Sequence, residues 1–289
     1  MDAPRPTALP RVLIVDDESG VRSLLARTLA RAGFAVDEAA DAGEALARLA
    51  AATPAVAILD LALPDRDGLS LLADLKRIDP GIAVIVITGA GDEETALRAG
   101  AASYYRKPFH AADLVQEVRR LAAWRASPPT GPAPAGHRSR SFTTAQARDL
   151  SLVGDLTLPL RGLLHEDELL GVRIGIGEMI ANAVEHGNLG ITASEKEEAL
   201  VEGRFAALLA ERLATPANAA KQVHVETRLG DGEFRVMVRD EGAGFAWRAL
   251  SAEPGATLAG RGVLLARVHF DEVHWNERGN EVTLVKRLV

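Results

Sequence analysis

The chain has 289 residues, of which 47% are hydrophobic and 25% charged, and its formal net charge is −7. This length accommodates two domains, and the acidic balance excludes a global basic surface for nucleic acid. The chain contains no cysteine, which excludes disulfides and thiolate chemistry. The first ten residues lack the apolar core of a signal peptide, and no apolar run approaches the ~20 residues of a membrane span. We therefore expect a cytoplasmic protein that binds neither membranes nor DNA directly.

The first part of the chain, residues 11–124, alternates between strand and helix patterns. Short apolar runs predict strands at residues 12–15, 35–39, 56–59, 83–87 and 103–106. Helical spacing predicts helices at residues 21–32, 43–50, 69–78 and 111–124. Regular alternation of this kind predicts an α/β domain with a doubly wound, parallel, five-stranded sheet covered on both faces.

Polar residues stand at the carboxyl ends of these strands, which is where open α/β sheets bind ligands. Asp16 and Asp17 follow the first strand, and Asp60 follows the third. Thr88 ends the fourth strand and Lys107 follows the fifth. Three carboxylates in one crevice repel each other, and Mg²⁺ with its preference for oxygen ligands provides a counter-charge. A lysine adds a second positive charge, and a threonine hydroxyl can donate a hydrogen bond to a phosphoryl oxygen.

Two further motifs, L-P-D-R-D-G at residues 63–68 and K-P-F at residues 107–109, stand in order with these acids. With them, residues 9–125 resemble the receiver domain of two-component response regulators. The resemblance implies that Asp60 is the phosphoacceptor. It also implies that Asp17 and Asp60 bind Mg²⁺ together with the backbone carbonyl of Ala62, and that Asp16 completes the acidic metal pocket.

The same resemblance assigns roles to residues on the later strands. Thr88 and Lys107 would contact the phosphoryl group, and Tyr104 would be the aromatic switch residue. A cognate sensor histidine kinase would be the phosphodonor. The alternatives are an acidic sheet edge without function and a receiver that is never phosphorylated.

Residues 126–141 are rich in proline and glycine, which predicts a semi-rigid linker. It would separate a receiver domain at residues 1–125 from a second domain at residues 142–289. The pattern leaves open whether the helix before the linker continues further or pairs with a second copy, as it would in a homodimer.

The second domain centres on a helix predicted at residues 169–187. One stripe of this helix is apolar and would face a core: Ile176, Met179, Ile180, Ala183 and Val184. The opposite stripe is polar, which suits either a metal and ligand site or a solvated face: Glu178, Asn182, Glu185 and His186. Gly171, Gly175 and Gly177 weaken the helix by about 1 kcal/mol each relative to alanine. They indicate close packing against a neighbour, or a helix start nearer Gly177.

Two glycine-containing stretches follow. Residues 240–245 (D-E-G-A-G-F) come after a strand-like run, and residues 260–262 (G-R-G) open an apolar helical run. Such glycines let a backbone approach a ligand closely, and a helix N-terminus offers free N–H groups to phosphate. Together with the helix around Asn182, these stretches resemble the N, G1 and G2 boxes of the GHKL ATPase superfamily over residues 138–289. Within it they are most similar to bacterial serine kinases that act as anti-sigma factors.

The superfamily resemblance implies a set of ATP and Mg²⁺ contacts. Asn182 would coordinate Mg²⁺ at the phosphates, and Glu178 would position or deprotonate the attacking hydroxyl. Asp240 would accept a hydrogen bond from the adenine amino group, and residues 246–259 would form a lid. The other implied ATP-binding residues are His186, Gly242, Gly244, Gly260, Arg261 and Gly262. For His186 the alternative is a helix-end histidine with a structural partner, and for Arg261 it is a helix cap.

Other elements of this domain follow from periodicity. Period-two alternation predicts hairpins around residues 230–232 and 278–280, and one helix is predicted at residues 194–213. Residues 141–144 fit a strand, and residues 149–164 receive no assignment. Helices against an antiparallel sheet predict a two-layer α+β domain, which agrees with the GHKL (Bergerat) fold.

Three functions fit these motifs. The first is a response regulator whose receiver controls a protein serine/threonine kinase or an anti-sigma, partner-switching factor. Its partner would be a protein substrate, a sigma factor or an anti-sigma antagonist. The second is a histidine kinase with an N-terminal receiver, for which His165 is the candidate phosphoacceptor. The third is an ATP-binding module that sequesters a regulator without transferring phosphate.

Overall fold

The computed structural model describes residues 9–89, 93–126, 136–149, 151–245 and 261–288. The chain divides into two compact units, Met1–Ala126 and Ser127–Val289. Among the helices of the described ranges, none is both long enough and apolar enough to cross a membrane.

The first unit contains one parallel sheet and its flanking helices. Its strands are β1 Arg11–Val15, β2 Ala35–Ala39, β3 Val56–Leu59, β4 Ala83–Thr88 and β5 Ser103–Arg106. Its helices are α1 Ser19–Arg31, α2 Ala42–Ala51, α3 Gly68–Ile78, α4 Glu93–Arg98 and α5 Ala111–Ala126. The strand order is β2-β1-β3-β4-β5 and every pairing is parallel. The predicted doubly wound, five-stranded sheet is confirmed.

The central strands of this sheet are buried on both faces. Every residue of β3 and β4 is buried, as an uninterrupted apolar run requires. Polar caps start the covering helices, since the side chain of Asp41 accepts from the N–H of Glu44 at α2 and Asp67 caps α3 in the same way. The N–H of Asp60 donates to the carbonyl of Val15 at 2.8 Å, so β1 and β3 end side by side.

The second unit contains one antiparallel sheet. Its strands are β6 Gly136–Thr143, β7 Gln222–Gly230, β8 Glu233–Asp240, β9 Glu272–Trp275 and β10 Glu281–Arg287. Its helices are α6 Ser151–Thr157, α7 Glu166–Asn182, α8 Ala193–Val201, α9 Phe205–Ala214, α10 Pro216–Ala220 and α11 Arg261–His269. The strand order is β6-β7-β8-β10-β9, with antiparallel pairing throughout. Burial alternates along β7 and β8, so one face is covered and one is open, and the predicted two-layer α+β fold is confirmed.

Both predicted hairpins are present. The β7–β8 connection places Asp231 and Gly232 at φ 55° and 74°. Two successive positive φ values are typical of the type I′ turn, whose twist matches that of the flanking strands. The β9–β10 connection includes Gly279 at φ 77°.

The helix α7 runs through its glycines. It begins at Glu166 and ends at Asn182, and the chain continues as a π-helical turn, Ala183–Asn188. The alternative start near Gly177 is therefore wrong. A Cβ atom on Gly175 would lie 2.7 Å from a ring carbon of Phe270, and one on Gly171 would overlap the ring of His269. The glycines allow α11 and the residue after it to pack closely on α7, as predicted.

Three differences from the sequence-based prediction concern element boundaries. The single helix predicted at 194–213 is wrong, because Gly203 adopts φ 68° and separates α8 from α9. The strand β6 begins at Gly136, so residues 136–141 of the predicted linker pair with β7. The unassigned stretch at 149–164 includes the short helix α6.

Candidate functional site

The first unit carries an acidic pocket at the carboxyl end of its sheet. Asp16, Asp17 and Asp60 each place a carboxylate oxygen within 4.8 Å of the others. Asp16 and Asp60 are only 3% and 4% exposed, whereas Asp17 is exposed. Three oxygen donors at this spacing fit a hard divalent cation such as Mg²⁺, which neutralises carboxylates and binds phosphate oxygens when it is present. Asp17 offers the solvent-facing side of the pocket.

Lys107 supplies positive charge to this pocket. Its Nζ donates to Asp60 Oδ2 at 2.6 Å, to Asp16 Oδ2 at 2.9 Å and to Glu18 Oε1 at 3.2 Å. Burial alone would lower the pKa of Lys107, but these three carboxylates outweigh it and raise that pKa. Burial raises the pKa of Asp16, and the hydrogen bond from Lys107 opposes that rise. Lys107 is therefore a fixed cation in the pocket, and Glu18 is a third partner that the motifs did not indicate.

The remaining predicted receiver residues surround the same edge. Thr88 ends β4, is 2% exposed, and its carbonyl accepts from the N–H of Lys107 at 2.9 Å. The N–H of Ala62 donates to Asp60 Oδ1 at 3.0 Å, so the loop after β3 folds back onto the acid. Tyr104 is buried on β5. The structure thus brings Asp16, Asp17, Asp60, Ala62 and Lys107 into one pocket and places Thr88 beside it.

In the second unit, the polar stripe of α7 meets the start of α11. The apolar stripe is buried as predicted, and Glu178, Asn182 and His186 are half-buried. A Cβ atom on Gly262 would lie 2.8 Å from Glu178 Oε2 and 3.2 Å from Asn182 Nδ2. Only glycine fits there without displacement, so the backbone of the helix N-terminus adjoins a carboxylate and an amide. Arg261 begins α11, while Gly260 and the predicted lid at 246–259 lie outside the described residues.

Asp240 is the buried acid of this unit. It is the last residue of β8, and its Oδ1 accepts from the N–H of Gly242 at 2.7 Å. Burial raises the pKa of Asp240 to about 6, although the hydrogen bond from Gly242 opposes the rise. A Cβ atom on Gly187 would overlap the Asp240 carboxylate, and one on Gly242 would overlap the carbonyl of Gly187. The end of the π-helical turn therefore packs against the Asp240 carboxylate and against the backbone at Gly242.

Two residues of the β9–β10 turn form hydrogen bonds to Asp240 and to the loop that follows it. Arg278 donates to the carbonyls of Gly242 at 2.9 Å and Ala243 at 3.3 Å. Asn280 donates from Nδ2 to the carbonyl of Asp240 at 2.9 Å. A Cβ atom on Gly244 would overlap the backbone of Arg278. The motifs did not reveal Arg278 or Asn280, and the turn glycine between them was the available signal.

Asn188 is a fully buried polar residue with several hydrogen bonds, and the motifs did not indicate this role. Its Nδ2 donates to Thr144 Oγ1 at 3.1 Å and to the carbonyl of Gln222 at 3.0 Å, and its Oδ1 accepts from the N–H of Glu241 at 2.9 Å. These bonds tie the ends of β6, β7 and β8 to the π-helical turn. His186 donates from Nδ1 to the carbonyl of Ile191 at 2.6 Å, which is the contact expected of a helix-end histidine.

Family models match both units. Residues 12–119 match the response regulator receiver domain, and residues 206–286 match the histidine kinase-like ATPase domain. The chain joins a receiver domain to a histidine kinase-like ATPase domain. This combination supports a two-component response regulator, and the two domains imply a phosphodonor such as a sensor kinase and the binding of ATP. The second match includes Asp240 and Gly262 but begins after α7.

Curated relatives match mainly the receiver half. The chain is 40% identical over 117 residues to the C4-dicarboxylate transport transcriptional regulatory protein DctD of Rhizobium meliloti, covering 39% of this chain and 25% of DctD. It is 38% identical over 156 residues to the transcriptional regulatory protein PrrA of Mycobacterium leprae, covering 53% of this chain and 60% of PrrA. A CheY-like receiver domain structure from Methanospirillum hungatei is 33% identical with a TM-score of 0.39, covering 40% of this chain and 96% of that one.

Proposed function

We propose that the receiver is phosphorylated on Asp60 and controls an ATPase domain that acts as a protein serine/threonine kinase or an anti-sigma, partner-switching factor. The observation that carries the proposal is the close approach of Gly262 to Glu178 and Asn182, which leaves no room for a Cβ atom without displacement. It joins the predicted catalytic acid and metal-binding amide to the N-terminus of α11, where unpaired N–H groups favour phosphate. A cytoplasmic location, where ATP is available, belongs to the same proposal.

The residues of the ATPase domain have separable roles in this proposal. ATP would supply the transferable phosphoryl group, with Mg²⁺ to neutralise its charge. Asn182 offers an oxygen ligand for that ion, and Glu178 is placed to orient or deprotonate an attacking hydroxyl. Asp240, in a buried site, accepts a hydrogen bond from the adenine amino group. Gly242 and Gly262 let the backbone approach the base and the phosphates.

The receiver chemistry of the proposal rests on the pocket around Lys107. Asp60 offers its Oδ2 as the nucleophile, and Lys107 already contacts that oxygen. Asp16, Asp17 and the Ala62 carbonyl are the proposed metal ligands. A phosphoryl group on Asp60 would compete for Lys107 and engage Thr88, and Tyr104 is the proposed switch residue. The phosphodonor would be a cognate sensor histidine kinase.

The histidine kinase alternative has less support. His165 is exposed and lies immediately before α7, inside the ATPase unit. Its backbone N–H donates a hydrogen bond to Glu168 Oε2 at 3.4 Å. A phosphoacceptor histidine belongs on a dimerising helix pair. His165 instead occupies the N-cap position of α7, within the ATPase unit.

The test uses the whole chain with labelled ATP, Mg²⁺ and candidate protein substrates. We expect Asn182→Ala to weaken Mg²⁺-dependent ATP binding and Glu178→Gln to retain binding but lose transfer. Glu185→Gln, on the same helix face but paired with Lys196, is the matched control. Label that survives acid indicates serine or threonine phosphate, and acid-labile label indicates histidine. ATP binding without transfer to any protein would favour the sequestering module instead.

A second comparison tests control by the receiver. The chain is treated with a small phosphodonor, and Asp60→Asn serves as the form that cannot be modified. We expect ATP turnover or partner affinity to differ between the modified and unmodified chains. Identical behaviour in all three forms would show that the receiver does not regulate this ATPase domain.

A further inference from the structure

Ser141 lies on the open face of the second sheet, away from the nucleotide site. It belongs to the edge strand β6, directly opposite His224 of β7. Its chain neighbour Phe142 is opposite Val223, which is fully buried on the covered face. Asp240 pairs with Val223 and so shares that covered face. Ser141 and the adenine-site acid are therefore on opposite faces of one sheet.

Ser141 makes the hydrogen bond that activates a serine hydroxyl. Its Oγ lies 2.7 Å from His224 Nδ1, and the Nε2 of the same ring lies 3.6 Å from Glu241 Oε1. In the tautomer with hydrogen on Nε2, the serine donates to Nδ1 and the ring N–H faces the carboxylate. The backbone N–H of Gln222 donates a hydrogen bond to the other carboxylate oxygen of Glu241 at 2.9 Å. A nucleophile and a base are thus in hydrogen-bond contact, and a carboxylate faces the other nitrogen of the base without hydrogen bonding to it.

The neighbouring serine provides an internal comparison. Ser139 occupies the same strand and the same face, two residues away, and is equally exposed. Its hydroxyl lies 3.5 Å from Glu226 and contacts no imidazole in the described residues. The arrangement with a histidine base is therefore particular to Ser141. Arg239, opposite His224 on β8, adds a cation to the same face for an incoming anionic group.

We propose that Ser141 is a phosphoryl-acceptor site of this protein. The inference rests on the proposed kinase function, because the donor is ATP held by the ATPase domain of a second copy of this chain. A second copy is required because the Glu178 side of the domain and Ser141 lie on opposite faces of the sheet. An exposed edge strand is the form in which an extended segment can enter a partner's cleft.

The transfer step balances within these groups. The Ser141 Oγ forms a bond to the γ-phosphorus of ATP, the bond from that phosphorus to the bridging oxygen breaks, and ADP leaves. The hydroxyl proton passes to His224 Nδ1. The product phosphate carries about −1.5 to −2 charges and would lie across the His224 ring from Glu241, the residue after Asp240. Modification would thus bring negative charge to the strand end that holds the adenine-site acid.

The test incubates the whole chain with Mg²⁺ and ATP and locates phosphate by tandem mass spectrometry, in an Asp60→Asn background. We expect phosphate on Ser141, its loss in Ser141→Ala, and unchanged labelling in Ser139→Ala. His224→Gln should slow the modification by about 100-fold, since a positioned base typically contributes that much. An isotope-marked Glu178→Gln chain should be labelled by unmarked chain with Glu178 intact, which shows transfer between copies.

The outcomes separate this inference from the proposed function. Phosphate on an added protein or on another residue, with none on Ser141, overturns the acceptor assignment and leaves the kinase function standing. A rate unchanged by His224→Gln overturns the role of the base, and a Glu178→Gln chain that stays unlabelled overturns transfer between copies. No transfer to any protein or residue overturns the kinase function and this inference with it.

Discussion

The acidic pocket of the first unit joins residues at the ends of neighbouring parallel strands, whereas the proposed nucleotide site of the second unit joins a helix, a strand end and a hairpin turn. In the pocket, charged side chains contact each other directly, as Lys107 does with Asp60. In the nucleotide site, backbone approaches backbone, as Gly242 does with Gly187. The first site therefore depends on the sign of its charges, and the second depends on the absence of side chains.

The two sites should therefore tolerate different substitutions. An amide in place of a carboxylate keeps the shape of the acidic pocket but removes a negative charge from it. A methyl group added to a glycine keeps the charge of the nucleotide site but forces its elements apart. Substitutions of both kinds can confirm or break the comparison.

The largest effect is expected at Asp60. Asp60→Asn should abolish labelling by a small phosphodonor with Mg²⁺, because the amide lacks the nucleophilic oxygen and removes one charge from the proposed metal site. Mass spectrometry of the intact protein measures the added phosphate. The control is Asp74, an acid of α3 that pairs with Arg66. The Asp74→Asn variant should be labelled to the same extent as the unsubstituted chain. Persistent labelling of Asp60→Asn would identify another acceptor.

The next effect concerns Gly242. A methyl group there overlaps the carbonyl of Gly187, so Gly242→Ala should lose most ATP affinity and about 1–3 kcal/mol of unfolding free energy. Gly230→Ala is the matched control, because a Cβ atom at Gly230 meets nothing within 4 Å. Urea unfolding and ATP titration measure the two quantities. Equal behaviour of both variants would show that the close contact is not required.

A smaller effect is expected at Arg278. Removing its bonds to the carbonyls of Gly242 and Ala243 should loosen the loop and weaken nucleotide binding by about tenfold, or 1.4 kcal/mol. Arg278 acts through the loop and not through the phosphates. The affinities for ATP, ADP and adenosine should therefore fall by the same factor in Arg278→Ala. A loss confined to ATP would mean that Arg278 contacts phosphate. Arg235→Ala, an exposed arginine on β8, is the control.

An effect of the same size is expected from a pH dependence at Asp240. Its pKa of about 6 means that the carboxylate proposed to accept from adenine is lost as pH falls below that value. Adenosine, which carries no phosphate to titrate, should bind about tenfold more weakly near pH 5 than near pH 7. Asp240→Asn should remove this dependence. A pH-independent affinity would place the adenine contact elsewhere.

The raised pKa of Asp240 also makes the stability of the fold depend on pH in a defined direction. The folded state binds the Asp240 proton more tightly than the unfolded chain, in which the carboxyl has its ordinary pKa of 3.8. Asp240 therefore contributes stability that is present below pH 3.8 and is lost as pH rises through about 6.

Much of the fold could be predicted because local patterns and tertiary environment agree. The strands β3 and β4 are uninterrupted apolar runs, and both are buried throughout. Their polar ends placed Asp60 and Thr88 at one edge because parallel strands share a direction. The β7–β8 hairpin was evident because Asp231 and Gly232 provide the turn that its geometry requires.

The rest depended on contacts that periodicity does not contain. The glycines of α7 lower helix propensity, and the helix persists because Phe270 packs against Gly175 and His269 packs against Gly171. Gly203 lies in a run that repeats every four residues, so the break between α8 and α9 was hidden. Asn188 and Arg278 act through backbone groups distant in the chain, which no local motif records.

The sheet of the second unit combines near and distant pairings, and this has a consequence for the order of folding. The β7–β8 hairpin closes through a two-residue turn, a step that takes about 1–10 μs in isolated hairpins. The strand β6 instead pairs with a strand that is distant in the chain, since Ser141 and His224 are separated by 83 positions and α6 to α10 lie between them. Long loops cost closure entropy before their contacts form. We expect β6 to join the sheet last and to leave it first, so its amide hydrogens should exchange with solvent before those of β7 and β8.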